Sequence, residues 1–177
     1  SDSNIRAYGQ VSKLGADDAA VLTGPQIVKW TAAQSASLTT DAVAAISPDA
    51  ISKLTLNYFD DARVAALTNA QMVKLTAAQV NSLAYTTADQ FTADQLANVN
   101  TLNSLKACAV PLLVTDAVAA LTASQMGKFD TDHLTEFTAN QAVAFSSDVN
   151  KSLWSKGYTT IALAGDDDSA GIDIDLS

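Results

Sequence analysis

Apolar side chains recur at every eighth residue along almost the whole of this chain. Leu14, Leu22, Trp30, Leu38, Ile46 and Leu54 open the series, and Leu67, Leu75, Leu83, Phe91, Val99 and Ala107 continue it. Leu121, Phe129, Phe137, Phe145, Leu153 and Ile161 close it. The register covers six units over residues 7–54, six over 60–107 and six over 114–161. Two spacers, TLNYF (55–59) and CAVPLL (108–113), interrupt it. Since 48% of the chain is hydrophobic, chance would fill about half of these eighth positions, yet all are filled. The fifth position is also mostly apolar, as at Ile27, Val43, Ile51, Val64, Met72, Val80, Leu96, Val118, Met126 and Leu134. Positions five and eight are three apart, which puts them on one face of a helix.

The first position starts helices. Thr23, Thr31, Thr39, Ser47, Asp60, Thr68, Thr76, Thr92, Asn100, Thr122, Asp130, Thr138 and Ser146 occupy it, and such side chains accept hydrogen bonds from the free amides of a first turn. Glutamine follows three residues later at Gln26, Gln34, Gln71, Gln79, Gln95, Gln125 and Gln141, the reciprocal capping box. Aspartates gather at positions two and three, and lysines at position seven, as in Asp49 with Lys53. That order suits the helix dipole.

One long helix cannot carry this pattern. Eight residues turn through about 800°, so the apolar stripe would drift by about 80° per unit. Each octad is therefore expected to be a helix of one to two turns followed by a corner. Helices this short need neighbours to be stable, and stacking supplies them. The expected fold is all-α, a solenoid of short capped helices. Two helices per coil is the first expectation and three the alternative. The repeat domain spans 1–161, with an acidic tail over 162–177. The first spacer is expected either to lengthen a helix through SPDAISKLTLNYF or to kink the stack, and Pro111 marks the second as a turn.

The octads, best seen in KLTAAQVNSL (74–83), resemble the degenerate LTxxQ(V/I)xxL helical repeats of large bacterial secreted or surface proteins, of the adhesin-like or haem-utilisation-like kind. The resemblance covers about residues 7–161. It implies a segment of a secreted or surface protein, and it carries over no active site. Units such as AYTTADQF and WSKGYTTI depart from the pattern.

A formal net charge of −9 makes nucleic acid an unfavourable partner. No apolar run is long enough for a membrane span. No signal-peptide pattern stands at Ser1, and the abrupt start reads as a segment of something longer. One cysteine, Cys108, excludes an intrachain disulfide and fits either side of the cell envelope.

Candidate chemistry is sparse. His133, the single histidine, stands in the slot that elsewhere holds glutamine, so a capping role is expected. Cys108 lies in apolar LKACAVPLL and is expected to be a buried, inert thiol. Phe129, Phe137 and Phe145 repeat at the core position and are expected to pack inside. No catalytic, cofactor-binding or zinc motif is present. In the tail, Asp166, Asp167, Asp168, Asp173 and Asp175 offer carboxylates to Ca²⁺, although their spacing departs from an EF-hand loop. A solvated acidic tail is the simpler reading, and the alternation in GIDIDLS also suits an edge strand or a docking peptide.

These features point to a non-enzymatic scaffold, extracellular or on the cell surface, that binds protein or glycan or spaces other domains. The alternative is an intracellular adaptor or effector-type module in the cytoplasm. A toxin or enzyme fragment is the third reading.

Overall fold

The computed structural model describes residues 11–160 and 172–174. Up to Trp154 the described chain is helical, in short pieces. Most α-helices hold four to six residues, as in Ala32–Ser35, Pro48–Ile51, Asn69–Met72 and Ala93–Asn98. Ala77–Thr87 and Ser147–Trp154 are longer, and 3-10 turns occupy Val11–Lys13, Ala88–Gln90, Leu102–Ser104 and Ala107–Leu112. Among the described residues one two-stranded antiparallel ribbon completes the chain, with β1 (Tyr158–Thr160) pairing β2 (Ile172–Ile174) and Thr159 opposite Asp173.

Capping explains where most α-helices begin; Ala16–Ala20 and Thr115–Ala119 start after Gly15 and Val114 with no side-chain cap. The Thr31, Thr68, Thr76, Thr92, Thr122 and Thr138 hydroxyls accept from the backbone N–H three residues on, while the glutamine there accepts from the threonine N–H. At Thr23 the Gln26 side chain reaches back to the Thr23 N–H at 2.9 Å. Thr39, Ser47, Asp60, Asp130 and Ser146 cap without a glutamine. Most helices end near position five or six. The lysines of position seven therefore fall in the corners rather than in a last helical turn.

The core repeats a single pair, two buried side chains three residues apart. Ile27 with Trp30, Val43 with Ile46, Ile51 with Leu54, Met72 with Leu75 and Leu96 with Val99 are examples. Both spacers obey this rule. Leu56 and Phe59 are buried in the first, so 55–59 is a unit shortened to five residues rather than a break. It holds no helix, contrary to the expectation of a helix running through it: the Pro48–Ile51 helix ends in a turn at Ser52. In the second, Val110 and Leu113 are the buried pair of a full octad over 106–113. Leu102 and Leu105 are the pair of a six-residue unit over 100–105. The assignment of Ala107 to the core position is thereby corrected: it is half-buried, and Leu105 takes its place. Pro111 lies within the 3-10 segment rather than in an open turn. Alanine at 107 is too weak a marker to fix a register that Leu102, Leu105 and Val110 all oppose.

Packing between elements has one dominant spacing. The helices starting at 16, 24, 69, 115 and 123 pack on those starting at 40, 48, 93, 139 and 147, and the 3-10 segment starting at 107 packs on the helix starting at 131. Each pair is 24 residues apart, three octads. Three consecutive units also meet inside. Phe129 lies edge-on to Phe137 at 5.6 Å, and Phe137 lies edge-on to Phe145 at 5.2 Å. Such edge-to-face pairs add about 0.5–1.5 kcal/mol each beyond their burial.

Candidate functional site

Position four decides how the polar side chains are used. The Gln71 amide, buried against solvent, donates to the carbonyls of Val43 and Ile46, both at 2.7 Å. Gln79 donates to Ile51 and Leu54, Gln95 to Val64 and Leu67, Gln141 to Val110 and Leu113, and Gln125 to Ala97. Each glutamine reaches the end of the helical turn four units back. From 68–75, those units are 60–67, 55–59, 47–54 and 39–46. A corner carbonyl left by a short helix would otherwise be an orphan, and the glutamine satisfies it while its oxygen caps its own helix.

His133 and Arg63 occupy the same position and do the same work. His133 Nε2 lies 2.7 Å from the Leu105 carbonyl, and Nδ1 lies 2.6 Å from Asp130 Oδ1. Arg63 Nε donates to the Leu38 carbonyl at 2.7 Å, while its guanidinium pairs with Asp60. The His133 ring, hydrogen-bonding the Asp130 side chain, holds that carboxyl below its ordinary range, helped by the His133 backbone N–H. The backbone N–H of Arg63, then its guanidinium, does the same for Asp60. His133 is thus a link between units that the sequence did not reveal; the capping role expected of its ring falls to Asp130, whose carboxylate accepts from the His133 backbone N–H at 3.1 Å. Among the described residues no cluster of three or more histidine, cysteine or acidic side chains could hold a metal ion.

Cys108 is exposed, which corrects the expectation of a buried thiol. In the octad 106–113 it falls at position three, an outward slot, whereas Ala109 and Val110 turn inward. Phe129, Phe137 and Phe145 are all buried. Of the candidate calcium ligands, Asp166, Asp168 and Asp175, with Asp167, lie outside the described residues. Asp173 stands in β2, paired with Thr159. Over 172–174 the tail is therefore a paired strand, the alternative that the GIDIDLS alternation suggested.

One surface feature depends on the shortened unit. Where 55–59 lacks three residues of an octad, an open cleft of about 260 Å³ appears. Its walls are Ser52, Lys53, Thr55, Asn57, Thr76 and Ala78, and its floor is Leu54, Leu56 and Gln79. Ser52 Oγ is committed to the Asp49 carbonyl and Thr76 Oγ1 to Gln79. The side chains of Lys53, Thr55 and Asn57 make no hydrogen bond or ion pair within the described protein. Beyond Asn57, Tyr58 is 68% exposed. The sequence marked 55–59 only as an interruption. The one available signal was an apolar pair retained in a unit three residues too short.

Among the described residues, no helix is long and apolar enough to cross a membrane. No protein-family model, curated protein or solved structure matches the chain.

Proposed function

We propose that the chain is a three-sided solenoid of capped octads, serving as a non-enzymatic scaffold and binding segment of a secreted or surface protein. Protein or glycan is its partner. The observation that carries this reading is the 24-residue spacing of packed helices, locked by position-four side chains. In a solenoid each coil contacts only its neighbours, and length and side surface are what the fold offers. The polar groups at the repeat positions are consumed as caps and links, which leaves no convergent acid, base and nucleophile among the described residues. The two short units are six places apart, hence on the same side of a three-sided stack. That side is where the regular surface is broken, and the cleft at 55–59 favours a binder over a plain spacer. The acidic surface disfavours nucleic acid, and the tail aspartates remain candidates for Ca²⁺.

An intracellular adaptor is the second reading, favoured by one observation. Cys108 is an exposed free thiol, which an oxidising exterior would leave open to intermolecular disulfides. An antibody raised against the folded chain separates the two. Labelling of intact source cells or of their culture medium is expected. Labelling only after permeabilisation would reject a surface or secreted scaffold.

A further inference from the structure

Three features stand apart from the repeat: the His133–Asp130 link, the exposed Trp154 and Val143, and the cleft at 55–59. The link is consumed in packing. Nothing indicates what would cover Trp154 or Val143. The cleft has a shape and an uncommitted set of polar groups.

We propose that the cleft at the shortened unit 55–59 binds a single pyranose ring of a neutral glycan, an inference that rests on reading the chain as a binding scaffold. Size comes first. Sites for drug-sized ligands run from about 300 to 1,000 Å³. At about 260 Å³ this cleft suits one ring and little more. Its chemistry comes next. Thr55 and Asn57 offer donors and acceptors together, and Lys53 offers donors, with none of the three side chains committed elsewhere. Sugar hydroxyls both donate and accept, so they can use a mixed set of this kind. Position is the third point. The stem of Lys53 lies across Gly24, where an added Cβ would stand 3.1 Å from Lys53 Cγ. The missing side chain at Gly24 therefore leaves room for the stem of Lys53, which lines the cleft.

Charge favours a neutral ligand. One lysine lines the cleft, the neighbouring Lys74 is paired with Asp49 at 2.8 Å, and the whole chain carries −9. An acidic polysaccharide would meet that field at close range. Tyr58, next to Asn57 and exposed, has an aromatic face of the kind on which a sugar ring stacks.

Amide NMR of the intact chain tests the proposal with methyl β-D-glucopyranoside, methyl α-D-mannopyranoside and methyl β-N-acetylglucosaminide as probes. At least one probe is expected to give saturable millimolar shifts at Lys53, Thr55, Asn57 and Thr76. Asn57→Ala and Lys53→Ala should each weaken that binding at least tenfold without altering the helical spectrum. Three results would overturn the inference: no shifts at the cleft with any probe, shifts unchanged in both variants, or sulfate producing the shifts while the sugars are silent. None of these bears on surface labelling, so failure of the sugar site and failure of the scaffold reading are distinguishable.

Discussion

Gln71 holds three bonds at once. Its oxygen accepts from the Thr68 N–H at 2.8 Å, and its nitrogen donates to two carbonyls of a different unit. Replacing it with leucine keeps much of the volume and orphans the buried Ile46 carbonyl, whereas the Val43 carbonyl keeps its bond from the Ile46 N–H at 3.3 Å. An unsatisfied buried polar group costs about 1–3 kcal/mol. Gln71→Leu should therefore lower unfolding free energy by about that amount in urea titration. Gln34 is the internal control. It caps Thr31 at 2.7 Å but is only half-buried, and among the described residues it makes no bond to a distant carbonyl. Gln34→Leu should cost clearly less, and equal losses for the two would remove the linking role assigned to position four. The capping aspartates set the acid limit. Asp60, Asp130 and Asp49 all have carboxyls held below the ordinary range, Asp49 through its hydrogen bond and charge pairing with Lys74. A depressed carboxyl contributes stability above its unfolded pKa, near 3.9, and loses it as pH falls through the folded value. The thermal midpoint should thus hold at neutral pH and fall below about pH 4. Asp60→Asn should flatten part of that fall. The effect should shrink in high salt, because the Asp60 side chain is 58% exposed.

A single unit is too short to stand alone. Four helical residues form one turn, and nucleating a turn is unfavourable without neighbours. Two terms hold each element in place, its cap and its buried pair. Thr76 caps the Ala77–Thr87 helix, with the Gln79 N–H donating to its hydroxyl at 3.3 Å. Thr76→Ala should cost about 1 kcal/mol, read as a shifted denaturation midpoint with unchanged slope. Leu75 is 4% exposed, and Leu75→Asp would bury an unpaired charge. Local loss of structure is expected, seen as lost amide-exchange protection in 68–83 and in the elements packed on it. A far-UV spectrum and exchange pattern matching the parent would contradict the packing described. The cap pattern was legible beforehand because it is written in short-range order: threonine, then glutamine three residues on. The short units were harder to read. Leu56 with Phe59 and Leu102 with Leu105 keep the spacing of three but lose the spacing of eight. An eight-residue template therefore reads 55–59 as a spacer and slides over 100–105 to the wrong alanine.

At the scale of the molecule, the 24-residue period makes a specific demand on length. In the proposed three-sided stack, removing 114–137, three whole octads, keeps every remaining unit on its own side. The shortened chain should remain cooperative and helical. Its long dimension in solution scattering should decrease by about 8–10 Å, one helix-to-helix spacing. Removing only 114–129, two whole octads, would put unlike sides on top of one another and set buried pairs against polar corners. That variant should lose its cooperative transition. If both deletions behaved alike, the period of three would not be structural.

Local order in the sequence settles which residues turn inward and where most helices start, because capping bonds and same-face pairs act over three or four residues; it did not show that Ala77–Thr87 runs through the corner expected after Leu83. It also identified His133 as a stand-in for glutamine. Which units touch was decided only in three dimensions. The bonds from Gln71, Gln95 and Gln141 span 25 to 31 residues, and a pattern with period eight is compatible with two or three units per coil. The exposed thiol of Cys108 and the cleft beside Asn57 belong to that second class, since both depend on how shortened units shift the register of those that follow. In the proposed coil, corner angles and side-chain volumes summed round each turn set the number of sides, and no short window of sequence contains that sum.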